Sequence, residues 1–302
     1  MKKAQIVLNP TAGNGKHTKK DLLHKVEKEG FKTAYVSTDE KGWEDFLRNK
    51  PDIIFLAGGD GTVHKLAAAL LKAPIEARRP PIHLFPYGTA NNIATTLKIP
   101  SNVPAHEIEF DRRKLRFDYG SISGLKEQVF FLESVGMGIF PELISEMKKK
   151  EVEAENTSKK LQRTLEVLLK IIRDFKSEEA EIIADGITIK GKFLMVELMN
   201  IKYVGPNLKL APAADFGDGY LDLVLIPEES RRELQDYLLG LIREDKESLD
   251  VRVFSKTIRA KEIEFKHYNT PAHVDDDLVE TGKSFKVSVE PAGLQFLEVN
   301  AS

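Results

Sequence analysis

The chain has 302 residues, 41% of them hydrophobic and 30% charged, with a formal net charge of −2 and no cysteine. That length predicts two domains, each with its own core, and the near-neutral charge leaves no electrostatic footprint for nucleic acid. The lack of cysteine excludes disulfides, thiolate catalysis and cysteine-based zinc sites, and it accords with a reducing compartment.

The first hundred residues alternate strand and helix. AQIVLN reads as a strand, a helix is expected from about Thr18 to Glu29 with Gly30 ending it, and TAYVS reads as the next strand. A helix near Gly42 to Arg48 leads to the strand IIFLA. Val63, Leu66, Ala67, Leu70 and Leu71 then recur at helical spacing, with Thr62 as the expected N-cap and Pro74 as the stop. The strand IHLFP and a helix from Thr89 to Lys98 follow. Such alternation means a parallel sheet covered on both faces, in which ligands bind beyond the carboxyl ends of the strands. Three polar, turn-rich loops occupy those ends: NPTAGNGK at 9 to 16, AGGDGT at 57 to 62 and PYGTANN at 86 to 92.

The middle loop is the most informative. Asp60-Gly61 would suit a two-residue hairpin, but the helical spacing after it makes this a strand-to-helix junction. The first N–H groups of a helix lack partners and carry partial positive charge, and glycines let an anion approach the backbone. Phosphate binding and a tight ligand-free turn both satisfy this local sequence. GGDGTV is not the dinucleotide fingerprint GxGxxG, and no GxxxxGK[ST] loop occurs.

After about residue 120 the pattern changes to strands with hairpin signals, such as EIIADGITI around Asp185-Gly186, predicting a mainly antiparallel domain. Helices interrupt it at about Thr157 to Lys176 and Ser230 to Asp245. The first carries Leu161, Leu165, Leu168, Leu169 and Ile172 on one face and Lys159, Lys160, Lys170, Arg173 and Lys176 elsewhere. It is read either as a packed core helix or as a basic, membrane-facing one. The charged stretch at 147 to 160 is expected to be a mobile segment or a solvated helix lead-in. No apolar run reaches membrane-spanning length, and MKKAQIVLNP is too short for a signal-peptide core, so a cytosolic location is expected.

Read together, NPTAGNGK, AGGDGT and PYGTANNIA resemble, in order and spacing, the NPxxG, GGDGT and PxGTxNxxA stretches of the diacylglycerol kinase catalytic domain family, which includes bacterial lipid kinases and sphingosine kinases. FDYG at 117 to 120, the run from Asn200 to Leu223 with its DGxLD motif, and HVDDDLVE at 273 to 280 are similar to later landmarks of that family. The resemblance implies an α/β, Rossmann-like nucleotide-binding domain over residues 1 to 124 and a mainly antiparallel β-sandwich lipid-substrate domain over 125 to 291. It further implies that 292 to 302 return to the first domain and that the active site lies in the interdomain cleft. The implied reaction moves the γ-phosphoryl group of ATP, with Mg²⁺, to a lipid alcohol at a membrane surface that the protein touches without spanning.

Phosphoryl transfer needs positioning, charge neutralisation and a carboxylate to receive the hydroxyl proton. By resemblance, Gly58, Gly59, Asp60, Gly61 and Thr62 hold the triphosphate through backbone N–H groups, Thr89 adds a hydroxyl, Thr38 lines the nucleotide pocket and Asn9 contacts it from the neighbouring loop. Lys16 is either a further contact or a surface charge. Asn91 either braces the loops or is ordinary helix-start polarity. Asp60 is assigned to Mg²⁺ or the substrate hydroxyl, against the alternative of a structural turn, and Asp118 to the same acidic network or to capping. Asp215, Asp218 and the Tyr220 carbonyl match positions where relatives bind a second, structural Mg²⁺; a metal-free acidic loop is the alternative. Asp222 is read as structural.

Departures from the pattern matter as well. Relatives carry DGE where this chain has Asp275-Asp276-Asp277, so Asp277 takes the place of the glutamate general base, one methylene shorter and among acids that should raise one another's pKa. Val63-His64-Lys65 replaces a hydrophobic residue followed by Asn-Glu, and Pro206 replaces a glycine. The leading expectation is a lipid kinase acting on a lipid alcohol such as diacylglycerol. The alternatives are a sphingoid-base kinase, a catalytically impaired nucleotide- or lipid-binding protein and, against the weight of the later motifs, an NAD kinase.

Overall fold

The computed structural model describes residues 1–12, 19–74, 80–100, 112–126, 130–149, 157–245, 250–266 and 271–299. They fall into two units, Met1–Phe117 with Pro291–Ser302, and Asp118–Glu290.

In the first unit the apolar runs of the sequence form β1 (Lys3–Leu8), β2 (Lys32–Ser37), β3 (Ile53–Gly58) and β4 (Ile82–Pro86), with α1 (Lys19–Lys28) between the first two. All residues of β3 and β4 are buried, as befits central strands of a parallel sheet. β1 pairs in parallel with both β2 and β3, and β3 pairs in parallel with β4. Every carboxyl end therefore points the same way. α2 (Asp60–Lys72) follows β3 and buries Val63, Leu66, Ala67 and Leu70, the residues at helical spacing in the sequence.

Three expected helix boundaries are corrected. The helix expected near Gly42 to Arg48 is a 3-10 turn, Trp43–Asn49, that buries Trp43 and Phe46. Thr62 is not an N-cap: α2 starts at Asp60, with Gly59 in the capping position. The helix expected from Thr89 to Lys98 is only α3 (Asn92–Thr96), because Asn91 takes a left-handed conformation at φ 53° and its side chain holds the preceding loop.

β5 (Lys114–Ser123) begins in the first unit and ends in the second. The second unit continues with β6 (Phe130–Phe131), β7 (Ser134–Gly138), α4 (Ile139–Lys149), α5 (Thr157–Asp174), β8 (Glu178–Ala184), β9 (Ile187–Met199) and β10 (Leu221–Pro227). Then come α6 (Arg231–Ile242), β11 (Lys256–Ala260), β12 (Glu262–Lys266), β13 (Ala272–Val274), β14 (Asp277–Val279) and β15 (Ser284–Leu297). The end of β15 belongs to the first unit, where Phe296 pairs in parallel with Ile82 of β4.

The pairings of β7 to β14 are antiparallel. Asp185 (φ 45°) and Gly186 (φ 83°) make the tight turn between β8 and β9, as Asp-Gly between alternating strands predicts. Alternation along β9 and β10 separates two cores. Val196, Leu198, Leu221, Leu223 and Leu225 face the interior of the wrapped sheet, while Met195, Met199, Val224 and Ile226 meet the helices. On that second face Leu165, Leu168 and Ile172 of α5 pack in one cluster with Leu143 of α4 and Leu234 and Leu238 of α6. The packed-core reading of α5 therefore holds, with Lys159, Lys160, Lys170, Arg173 and Lys176 exposed around it. Part of the charged stretch at 147 to 160, residues 150–156, lies outside the described residues, as does Lys16. Among the described residues, no helix is long and apolar enough to cross a membrane.

Candidate active site

The three loops at the carboxyl ends of β1, β3 and β4 are tied into one cluster. Asn9 Nδ2 donates to Thr62 Oγ1 at 3.0 Å, and Asn9 Oδ1 accepts from the Thr11 backbone at 3.1 Å. Asp60 reaches the third loop: its Oδ2 accepts from the Asn92 N–H at 2.9 Å and its Oδ1 from the Ile93 N–H at 3.1 Å. Asn91 closes that loop on itself, Oδ1 accepting from the Gly88 N–H at 2.8 Å and Nδ2 donating to the Gly88 carbonyl at 2.9 Å. Asn91 thus braces the loop, and Asp60 caps the start of α3 with both oxygens.

The glycines differ in purpose. A side chain on Gly58 would collide with Thr62, and a Cβ on Gly59 would fall 2.7 Å from the Gly88 Cα. Gly58 is glycine because Thr62 of its own turn folds back on it, and Gly59 because the neighbouring loop presses against it. Gly61 is the exception: it is exposed in the first turn of α2, and a Cβ there meets nothing within 4 Å. Open space lies over the helix end, where the helix dipole favours an anion, although the Thr62 and Val63 N–H groups, the former expected to hold phosphate, donate to the Gly59 carbonyl at 2.8 and 3.1 Å. The Thr62 side chain, by contrast, is buried at 2% exposure beneath the loop and bonded to Asn9. Thr38 and Thr89 are both half-buried, and the Thr38 N–H donates to the Leu8 carbonyl at 3.0 Å.

In the second unit the Asp275-Asp276 turn joins β13 to β14, with Val274 paired to Asp277. Asp275 carries the positive φ, 49°, and its Oδ1 accepts from the Glu133 N–H at 2.8 Å and the Ser134 N–H at 3.2 Å, while Oδ2 accepts from the Leu132 N–H at 3.1 Å. Three successive backbone donors therefore hold one carboxylate. Behind it, His273 and Glu197 are 1% and 0% exposed, and His273 Nε2 lies 3.0 Å from Glu197 Oε2. His273 Nδ1 lies 2.8 Å from the Asp275 carbonyl, which can only accept, so Nδ1 carries a proton. Burial alone would lower the His273 pKa; the Glu197 charge and the bonds to Glu197 and Asp275 outweigh it, and the net direction is upward. Gly136 is required here, since a side chain on it would overlap the Glu197 carboxylate.

Asp276 is accessible to solvent but crowded by protein, and this desolvation, followed by the charge of Asp275, raises its pKa. Asp277 points elsewhere. Its side chain is 61% exposed, with Lys148 Nζ of α4 at 3.6 Å.

Asp118 is buried, and its Oδ2 accepts from the Gly219 N–H at 2.8 Å, a loop-capping role. The side chains assigned to a structural Mg²⁺ are engaged by the chain itself. Asp215 Oδ1 accepts from the Gly217 N–H at 3.1 Å and Asp218 Oδ1 from the Tyr220 N–H at 3.0 Å, so both make local turns. The other Asp218 oxygen meets Arg259 at 2.5 Å, and the Arg259 guanidinium lies 4.4 Å from the Tyr220 ring centre. A cation already answers this carboxylate, and it belongs to the chain. Among the described residues no cluster of metal-binding side chains is present.

An apolar cavity of about 290 Å³ opens in the second unit between α4, β9 and β14, walled by Met137, Pro141, Phe175, Phe193, Val196 and Leu278. Leu278 is one residue from Asp277 and 37% exposed.

The family model for the diacylglycerol kinase catalytic domain matches residues 3–122, and the model for the YegS C-terminal NAD kinase beta sandwich-like domain matches residues 146–298. This chain belongs to the diacylglycerol kinase catalytic domain family. Among its relatives, a diacylglycerol kinase of Bacillus subtilis strain 168 is 28% identical over 246 residues, covering 77% of this chain and 76% of its own length. A diacylglycerol kinase of Staphylococcus epidermidis is 26% identical over 247 residues, covering 77% and 73%. The crystal structure of a Bacillus anthracis protein matches over 99% of this chain and 97% of its own, with a TM-score of 0.76 at 22% identity. That of a diacylglycerol kinase from the same species gives a TM-score of 0.71 at 20% identity. These structural likenesses show the fold, an α/β unit with parallel strands followed by a β-rich unit.

His273, Glu197, Arg259 and Lys148 were not singled out by the sequence. Two left a signal: His273 adjoins the acidic run, and Glu197 is the one acid in the buried strand FLMVELM. A charge inside such a run implies a buried partner.

Proposed function

We propose that this member of the diacylglycerol kinase catalytic domain family transfers the γ-phosphoryl group of Mg-ATP to the hydroxyl of a lipid alcohol, diacylglycerol being the first candidate. The observation that carries this reading is the α2 N-terminus, where a braced loop cluster leaves open space only over Gly61 among Gly58, Gly59 and Gly61. The positive end of α2 over Gly61 holds the phosphates, and Asn9, Asp60 and Asn91 keep it in position by fixing the loops. Thr38 and Thr89 flank the nucleotide. Mg²⁺ enters with ATP as part of the substrate.

The apolar cavity walled by Phe175, Phe193 and Leu278 supports a lipid acceptor. Its neighbour is the Asp275–Asp277 turn, whose carboxylates provide the proton acceptor that attack by a hydroxyl needs. Contact with a membrane surface is supported by the exposed Lys159, Lys160, Lys170 and Arg173 of α5.

ADP release with Mg-ATP, compared among diacylglycerol in mixed micelles, a sphingoid base and NAD, tests the reading. Acceleration by the lipid alcohols alone is the expected result, and acceleration by NAD alone contradicts it.

A further inference from the structure

We infer that Asp276, rather than Asp277, is the carboxylate that takes the proton from the acceptor hydroxyl; the inference rests on the lipid-kinase reading and names the residue that performs its proton transfer.

The turn is built to present one side chain. Asp275 is fixed at both ends: its carboxylate by the N–H groups of Leu132, Glu133 and Ser134, and its carbonyl by His273 Nδ1. The His273–Glu197 pair behind it is fully buried. Asp276 is the next residue, on a backbone that cannot shift without breaking these bonds.

Asp276 also has a place for a hydroxyl beside it. With Ser134, Phe140, Leu143 and Val204 it lines a cavity of about 30 Å³. This volume exceeds the ~10–15 Å³ needed for one water-sized group. The walls from Phe140, Leu143 and Val204 suit the carbon that bears an alcohol. Ser134 is 0% exposed, and its Oγ has no hydrogen-bond partner among the described residues. A buried hydroxyl without a partner is costly, and an alcohol oxygen in this cavity would relieve that cost. Asp277 does not line this cavity: its side chain is 61% exposed and meets Lys148 Nζ at 3.6 Å.

The charged groups around Asp276 are Asp275 and Asp277 on its own turn, His273 of β13 with Glu197 of β9 behind it, and Lys148 of α4. Desolvation and Asp275 raise its pKa, which suits a base that must hold a proton during transfer. In the step, the alcohol oxygen forms a bond to the γ-phosphorus and the bond from that phosphorus to the β–γ bridging oxygen breaks. ADP leaves with the electron pair, and the hydroxyl proton moves to the Asp276 carboxylate, from which solvent removes it.

The test measures phosphate transfer from γ-labelled Mg-ATP to diacylglycerol in mixed micelles, with the melting temperature of each variant as a fold control. Asp276→Asn should lower kcat by roughly a hundredfold or more, the usual scale for a general base, with the KM for ATP little changed. Asp277→Asn should lower it by less than about tenfold. Asp276→Ala should regain turnover with added formate, a recovery that a merely structural role would not give. The inference is overturned if Asp277→Asn falls as far as Asp276→Asn or further, or if formate restores nothing to a folded Asp276→Ala. A parent protein that labels no lipid alcohol defeats the lipid-kinase reading itself, and the inference with it.

Discussion

Gly59 and Gly88 touch backbone to backbone: a Cβ on Gly59 would sit 2.7 Å from the Gly88 Cα. Two loops 29 residues apart in the chain thus press together at a point where only glycine fits, and the space for a ligand lies two residues further, over Gly61. Gly59→Ala should therefore destabilise the first unit by about 1–3 kcal/mol, the usual cost of overpacking. Gly61→Ala should hold or raise the melting temperature, since alanine favours the helix, and Gly61→Leu should fold normally yet lose Mg-ATP binding. Thermal melts with calorimetric titration check both halves. Tight nucleotide binding by Gly61→Leu would move the phosphate site elsewhere.

Asp60 joins the second loop to the third through the N–H groups of Asn92 and Ile93. Asparagine can accept only one of these bonds and turns its amide donors toward the other. Asp60→Asn should lower stability by about 1 kcal/mol, the scale of one part-buried bond lost, and weaken nucleotide binding through loop displacement. A variant with unchanged melting temperature and no turnover would instead make Asp60 a direct participant in the chemistry.

Asp222, buried on β10, has its pKa raised to about 6, chiefly by desolvation and secondarily through Asp218, against the opposing pull of Arg259. The folded state then binds more protons than the unfolded chain between pH 4 and 6, so this group lowers stability as pH rises through that window and holds it lower above. Asp222→Asn should remove that slope and stabilise the second unit at neutral pH, by on the order of 1 kcal/mol. Melting temperatures of parent and variant from pH 4 to 8 should diverge upward. Parallel curves would contradict the assignment.

Arg259 stands opposite Asp222 in the β10–β11 ladder and reaches Asp218 at 2.5 Å. Without nucleotide, millimolar Mg²⁺ should leave the melting temperature of the parent unchanged. Arg259→Ala should melt lower and recover part of the loss on adding Mg²⁺. A Mg²⁺-dependent rise of the same size in the parent would return Asp215 and Asp218 to metal binding.

Local chemistry explains what the sequence made legible. The Asp185-Gly186 turn and the strand-to-helix character of AGGDGT follow from residues within a few positions of one another. The reason for Gly59 does not, because Gly88, 29 positions on, fills the space beside it. Thr62 looked like a cap by residue type, yet Asn9, 53 positions away, claims its hydroxyl. The same holds for the acidic site: Asp275-Asp276-Asp277 is visible as a run, but only pairing across the sheet brings Glu197 to His273, 76 positions on. The passage from the first unit to the second lies inside β5, a continuous strand with no turn signal to mark it.

Transfer of label from γ-labelled Mg-ATP to diacylglycerol, followed by separation of the lipid products, tests the central claim most directly. The parent should yield a labelled phosphate monoester of the lipid, and Gly61→Leu none. Label released only as inorganic phosphate, or carried by NAD and absent from every lipid alcohol, would contradict it.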